Sequence, residues 1–277
     1  MTEQTPQQLS EQPKMSFVDH LGELRTRLIV SFSAILIIFI VVFNYSEFLF
    51  KVLILPMEQN LIFKKHLPFI FFEPKTTAAV KLVFLEPAEA FWMHIKLSML
   101  ASIVLSLPIL FSQLWLFISP GLLPNEKKYV LPFIFSATIL FMFGAAFCFV
   151  IVLPFALGFL LTYKTEHLIP MISVGRYVDF TMKFILAFGV IFELPIAIIV
   201  LTRLGLVTPA FLKKSRKYAV VIAFIIAAVV TPTPDAFNQS LMAVPIIVLF
   251  EIGIFVSKFF IKKPDENETK DVVKTAK

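Results

Sequence analysis

Cysteine is almost missing from this chain. The one residue, Cys148, lies inside an apolar run, so the 277 residues can form no intrachain disulfide and no cysteine-based metal cluster. Glycine is scarce at 8, which excludes collagen-like and glycine-rich low-complexity classes. Charged residues make up only 16% of the chain, against 58% hydrophobic residues and a mean hydropathy of +0.87, so a water-soluble globule is excluded as well. What remains is a membrane protein. The formal charge of +6 does not argue for nucleic acid as a partner, because basic loops that fix orientation give many membrane proteins the same balance.

Other chemistry is missing too. No Walker A, H-E-x-x-H or G-x-S-x-G pattern occurs, so nucleotide hydrolysis, zinc proteolysis and serine hydrolysis have no carrier and no enzymatic activity is expected. His20, His66 and His167 fall in flanks or loops and His94 at a span edge, which leaves no axial ligand for haem at bilayer depth. No cofactor or metal is expected.

The apolar runs that are present read as an all-α polytopic membrane protein with six transmembrane helices over residues 15–258. The spans fall at about 28–46, 93–113, 129–153, 180–202, 218–230 and 236–257, with helices five and six expected to be short. Residues 1–14 are polar and rich in Pro and Gln, and 259–277 are charged. Both are expected to be disordered tails, the first lacking the apolar core of a signal peptide. Ahead of the first span, Phe17, Leu21, Leu24 and Leu28 share one helical face, while Asp19, Glu23 and Arg27 share another. The third span is expected to end near Pro154.

Six spans put both termini on one side, and the basic residues say which. Between Arg203 and Lys217 lie five basic residues and no acid, whereas Lys51, Lys64, Lys65, Lys75 and Lys81 in the long first loop are matched by Glu47, Glu58, Glu73, Glu86 and Glu89. The termini are therefore expected to be cytoplasmic. No internal repeat is visible, which weakens an inverted-repeat transporter reading.

Four acidic residues do not fit a bland bundle. Glu193 sits near the middle of the fourth span, where a carboxylate costs about 2.5 to 3.5 kcal/mol, although thirteen Leu, Ile, Val and Phe residues between Phe184 and Thr202 return about 4 to 8 kcal/mol. Pro195, two residues on, frees a carbonyl and kinks the helix. Glu193 is either a functional intramembrane acid or a protonated group bonded to a neighbouring Ser or Thr. Glu23 and Glu126 lie on the basic cytoplasmic side. On physics alone the ordinary reading prevails: Glu23 pairs with Arg27 at i,i+4, and Glu126 favours the N-terminus of the third helix. Asp235 and Gln239 are one turn apart and share a polar face, or Asp235 caps the sixth helix.

Taken in order, five segments resemble the TatC family, the large multispanning subunit of twin-arginine protein translocases. They are HLGELRTRL at His20–Leu28, QLWLFISPGLLPNEKK at Gln113–Lys128, FGVIFELP at Phe188–Pro195, TPTPDAFNQSLMAVP at Thr231–Pro245 and LFEIGIFVSK at Leu249–Lys258. The likeness covers nearly the whole chain. It departs in a first external loop that is longer than usual around Leu61 to Val80, and in Lys127 and Lys128 where arginines are common.

The resemblance implies a receptor and core subunit that recognises twin-arginine signal peptides. With TatA- or TatB-type single-span partners it would move folded proteins across the inner (plasma) membrane, driven by the proton-motive force. It also implies self-association in a receptor complex. Glu23, Arg25 and Glu126 would bind the signal, the two carboxylates facing two guanidinium forks. Glu193, Asp235 and Gln239 would meet partners within the membrane, and Phe91, Pro108, Gln113 and Phe117 would help shape these surfaces. The competing reading from the residues is a proton-coupled small-solute transporter with Glu193 as the carrier.

Overall fold

A computed structural model describes residues 17–63, 70–74, 82–118, 130–162, 171–231 and 235–260. Helix α1 (Phe17–Phe43) runs without a break from the amphipathic segment through the first apolar run. It stops where the Asn44 amide donates to the carbonyls of Ile40 at 3.0 Å and Val41 at 3.4 Å, meeting acceptors that a helix end leaves open. The chain then forms α2 (Ser46–Glu58) and a hairpin, β1 (Gln59–Phe63) antiparallel to β2 (Ile70–Pro74). The long first loop is thus partly ordered into a helix and a hairpin, which its mixed apolar and charged sequence did not announce. Strand β3 (Leu82–Val83) leads to α3 (Glu89–Ile118), a 30-residue helix that extends beyond 93–113 at both ends.

The third apolar run does not stop at Pro154. Helix α4 (Val130–Phe147) passes through a π-helical turn, Cys148–Val152, into α5 (Leu153–Thr162). Proline lacks the N–H that would return to residue 150, and a π turn takes up the misfit without ending the helix. Strand β4 (Ile172–Ser173) pairs in parallel with β3, and Ser173 caps α6 (Val174–Phe192). Glu193 separates α6 from α7 (Leu194–Arg203), with Pro195 in the first turn of α7. The kink expected at Pro195 is present.

Helix α7 closes at Gly205, whose φ of +71° permits the reversal, and the Leu206 N–H reaches the Leu201 carbonyl at 3.0 Å. Thr208 caps α8 (Pro209–Lys214), which is followed by α9 (Arg216–Val230) and α10 (Ala236–Ser257). Helix α9 has 15 residues, about 22 Å, and is short for a crossing. Helix α10, expected to be short, has 22 residues or about 33 Å. Its first turn is polar, so its apolar part is shorter than its length.

Among the described residues, five helical paths are long and apolar enough to cross a membrane. They pack as two groups that share the fourth crossing. α1 lies on α3, and α4 on α6 and α3, while α7 and α9 lie on α10. Small residues allow the closest approaches, as they must where lipid supplies no hydrophobic drive. A Cβ at Gly144 on α4 would fall 2.7 Å from the Phe188 carbonyl of α6, and one at Gly189 only 2.4 Å from the Phe141 ring. Ser98, Ser102 and Ser106 line one fully buried face of α3, each hydroxyl donating to a carbonyl of its own helix.

Candidate functional site

The end of the bundle where α1 begins holds a small polar cluster. Glu23 and Arg27 are one turn apart, and the Arg27 Nη2 donates to Glu23 Oε1 at 3.0 Å, as the i,i+4 spacing anticipates. Its Nη1 donates to Gln113 Oε1 on α3 at 3.4 Å, a contact spanning 86 positions in sequence. Side-chain exposure is only 17% for Glu23 and 29% for Arg27, and Glu23 Oε2 and Arg27 Nε are buried without a hydrogen bond among the described residues. An acidic oxygen is thus held in a partly dry setting with acceptor capacity to spare. Arg25 is exposed on the same turn of α1. Glu126 lies outside the described residues.

The last three turns of α3 carry a second feature on another face. Phe111, Leu114, Trp115 and Ile118 join residues of α4 and α7 around a cavity of about 290 Å³, and Glu193 is its one acidic wall residue among the described residues. Among the described residues no lysine or arginine lines it. Glu193 stands at the break between α6 and α7, the C-cap of one and the N-cap of the other. Its Oε1 is buried without a hydrogen bond among the described residues, as is the Trp115 indole N–H. Trp115 stacks near Phe133, with ring centroids 4.3 Å apart. Sequence reading missed Trp115, although an indole inside an apolar run signals a donor that needs an acceptor.

The remaining expected residues divide. Phe117 is half-buried and Pro108 exposed on α3. Phe91 is exposed at the opposite end of α3, about 33 Å of helix from Gln113, and joins neither feature. Asp235 caps α10, its Oδ1 accepting from the Asn238 N–H at 2.7 Å and its Oδ2 from the Asn238 amide at 3.0 Å. Gln239 donates to the Phe224 carbonyl of α9 at 3.0 Å, which ties the last two crossings together. Lys183 was also passed over. It is an exposed cation ten residues before Glu193, inside the range read as the fourth span. Among the described residues no three His, Cys, Asp or Glu side chains gather as a metal site.

Helices of this length and apolarity, packed around a half-broken crossing with an intramembrane acid, define a polytopic α-helical membrane protein. Comparison with known proteins gives the family. The TatC model, described as Sec-independent protein translocase protein, matches residues 19–245, and the chain belongs to that family. It is 36% identical over 260 residues to Sec-independent protein translocase protein TatC of Carboxydothermus hydrogenoformans, covering 94% of this chain and 100% of that one. Against the protein of the same name from Helicobacter pylori strain 26695 the identity is 39%, covering 90% of each. The crystal structure titled Twin Arginine Translocase Receptor TatC superposes with a TM-score of 0.72 at 38% identity, covering 87% of this chain and 98% of that one. The chain is an integral membrane component of a protein translocase.

Proposed function

We propose that this chain is the receptor and core subunit of a twin-arginine translocase, resident in the inner (plasma) membrane with both termini cytoplasmic. The observation that carries the proposal is Glu23, whose Oε1 is held by Arg27 at 3.0 Å while Oε2 has no partner among the described residues. A carboxylate that is positioned and half-satisfied suits the planar fork of an incoming arginine, which binds carboxylates in a bidentate manner. Glu126 supplies the second carboxylate, so that two adjacent signal arginines each find an acid. Arg25 and the surrounding basic residues repel peptides whose positive charge is misplaced.

Glu193 acts at the next stage. Its cavity is otherwise apolar, so a polar side chain on an inserted signal or on a TatA- or TatB-type helix gains a hydrogen bond there that lipid cannot offer. The bilayer and further copies of the chain complete the receptor complex, and the proton-motive force drives transport with no nucleotide site on this subunit. The test is copurification of a twin-arginine precursor with the full chain from detergent-solubilised membranes. Capture should fall at least tenfold when the signal arginines become lysines, and to a similar degree for Glu23→Ala. Equal capture in all three samples would overturn the proposal.

A further inference from the structure

The opposite end of the bundle holds a hollow that signal recognition and partner docking leave unused. About 320 Å³ in volume, it lies between the segment before α3 and the first turns of α3 and α6, and both signs of charge face it: Lys96 and Arg176 against Glu86, Glu89 and Asp179. Most of this charge is satisfied within the protein. Glu89 accepts from the backbone N–H groups of Leu85 at 2.7 Å, Glu86 at 3.4 Å and Gly175 at 2.7 Å, and from the Ser173 hydroxyl. Gly175 is needed for this approach, because a Cβ there would fall 2.8 Å from Glu89 Oε1. Lys96 Nζ donates to Asp179 Oδ1 at 2.7 Å. One cation and one anion are left. Arg176 and Glu86 are both exposed, and neither side chain has a partner among the described residues.

The rest of the hollow is apolar and sits where two candidate membrane spans begin. Leu85, Trp92 and Met93 complete its wall. An adjoining hollow of about 430 Å³ shares Leu85 and Glu86 and is otherwise lined by Phe84, Pro87 and Ala90. Arg176 is in the first turn of α6 and Lys96 is seven residues into α3, so the hollow extends about 10 Å along the helices from this end of the bundle. Phe84, Leu85 and Trp92 are each more than half exposed at that level, where tryptophan commonly marks the membrane interface.

We infer that this hollow binds the headgroup of a zwitterionic phospholipid from the adjacent leaflet. The phosphate lies on the Arg176 fork, the ammonium on Glu86, and an acyl chain runs over Phe84 and Leu85. A simple anion would meet three carboxylates and a simple cation would meet Lys96 and Arg176, whereas a group with both charges complements the two that remain unpaired. The apolar hollow beside the charges favours a lipid over the free headgroup.

Native mass spectrometry of the full chain in mild detergent, with phosphatidylethanolamine and phosphatidylglycerol added in equal amounts, tests this. Phosphatidylethanolamine should be retained at least fivefold over phosphatidylglycerol, and Arg176→Gln should reduce its retention at least fivefold. Arg176→Lys, which keeps the charge but not the fork, should fall between. Glu86→Gln should abolish the preference between the two lipids, and Lys213→Gln at the other end should change nothing. A wild-type preference for phosphatidylglycerol, unchanged retention in Arg176→Gln, an equal loss in Lys213→Gln, or displacement by equimolar glycerophosphoethanolamine would each overturn the inference.

Discussion

The first and fourth crossings are nearly equal in hydropathy, yet only 6% of the most apolar window of α1 is buried inside the protein, against 44% for α6 and α7 together. α1 is a single rod that leans chiefly on α3, so most of its Leu, Ile and Phe side chains are exposed. The fourth crossing is broken at Glu193. Its α6 half packs on α3 and α4, and its α7 half packs on α10. Because lipid tails are as apolar as leucine, hydropathy decides that a helix enters the bilayer but not whether it is covered by protein. Close backbone approach decides that. Gly144 and Gly189 provide it between α4 and α6, and Gly253 provides it between α10 and α7, whereas a Cβ at Gly22 in α1 would meet nothing within 4 Å.

The largest test of this contrast adds volume to each crossing in turn. Gly144→Val drives a methyl toward the Phe188 carbonyl, which a rotamer change cannot move, and should destabilise the protein by about 3 kcal/mol, at the upper end for overpacking. Ile40→Phe on the exposed face of α1 should stay within about 0.5 kcal/mol. Thermal unfolding of the purified protein compares them, and similar shifts would show that α1 is as tightly covered as α6. The first crossing instead carries its load at its end. Glu23→Ala and Glu126→Ala should each weaken precursor binding by about 1.5 to 3 kcal/mol, the range for hydrogen bonds to charged groups. Site-specific crosslinking to a labelled precursor reads this out, and an undiminished signal in the double variant would remove the carboxylate pair from recognition.

For the fourth crossing the expected effect is smaller and depends on the replacement. Glu193→Ala should lower transport into membrane vesicles about tenfold, equivalent to ~1.4 kcal/mol, and Glu193→Gln should stay within about threefold of the parent. Among the described residues no basic side chain lines its cavity to hold a charged form, so hydrogen bonding is the favoured role. Equal losses at normal protein levels would instead require that Glu193 release a proton. The subtlest difference concerns α9, whose 15 residues span about 22 Å of a ~30 Å core. Spin labels stepped from Val220 to Gln239 should report a locally thinned bilayer, each Å of mismatch involving only fractions of a kcal/mol. A full ~30 Å of immersion over that stretch would exclude thinning.

Much of the scaffold was legible in advance, and the misses have physical causes. Long apolar runs between charges give the crossings, and Pro195 gives the kink. Pro154 misled because proline removes one donor wherever it stands, but whether the helix ends or takes a π turn depends on the packing around it. The helix at Ser46–Glu58 was hidden by its short length and charged flanks. At the candidate site, Glu23 with Arg27 could be read from spacing. Gln113 could not be joined to them, because that contact closes 86 residues of chain.

By itself, then, the sequence determined that this protein lies in a membrane, where its long apolar runs fall, and which acid stands inside one of them. Each of these follows from local transfer free energy and nearest-turn geometry. Only the tertiary structure decided which crossings are shielded by protein, that Glu193 opens into a cavity beside Trp115, and that Arg176 and Glu86 share a hollow. Those outcomes depend on how closely helices distant in sequence can approach, and a linear pattern does not encode that distance.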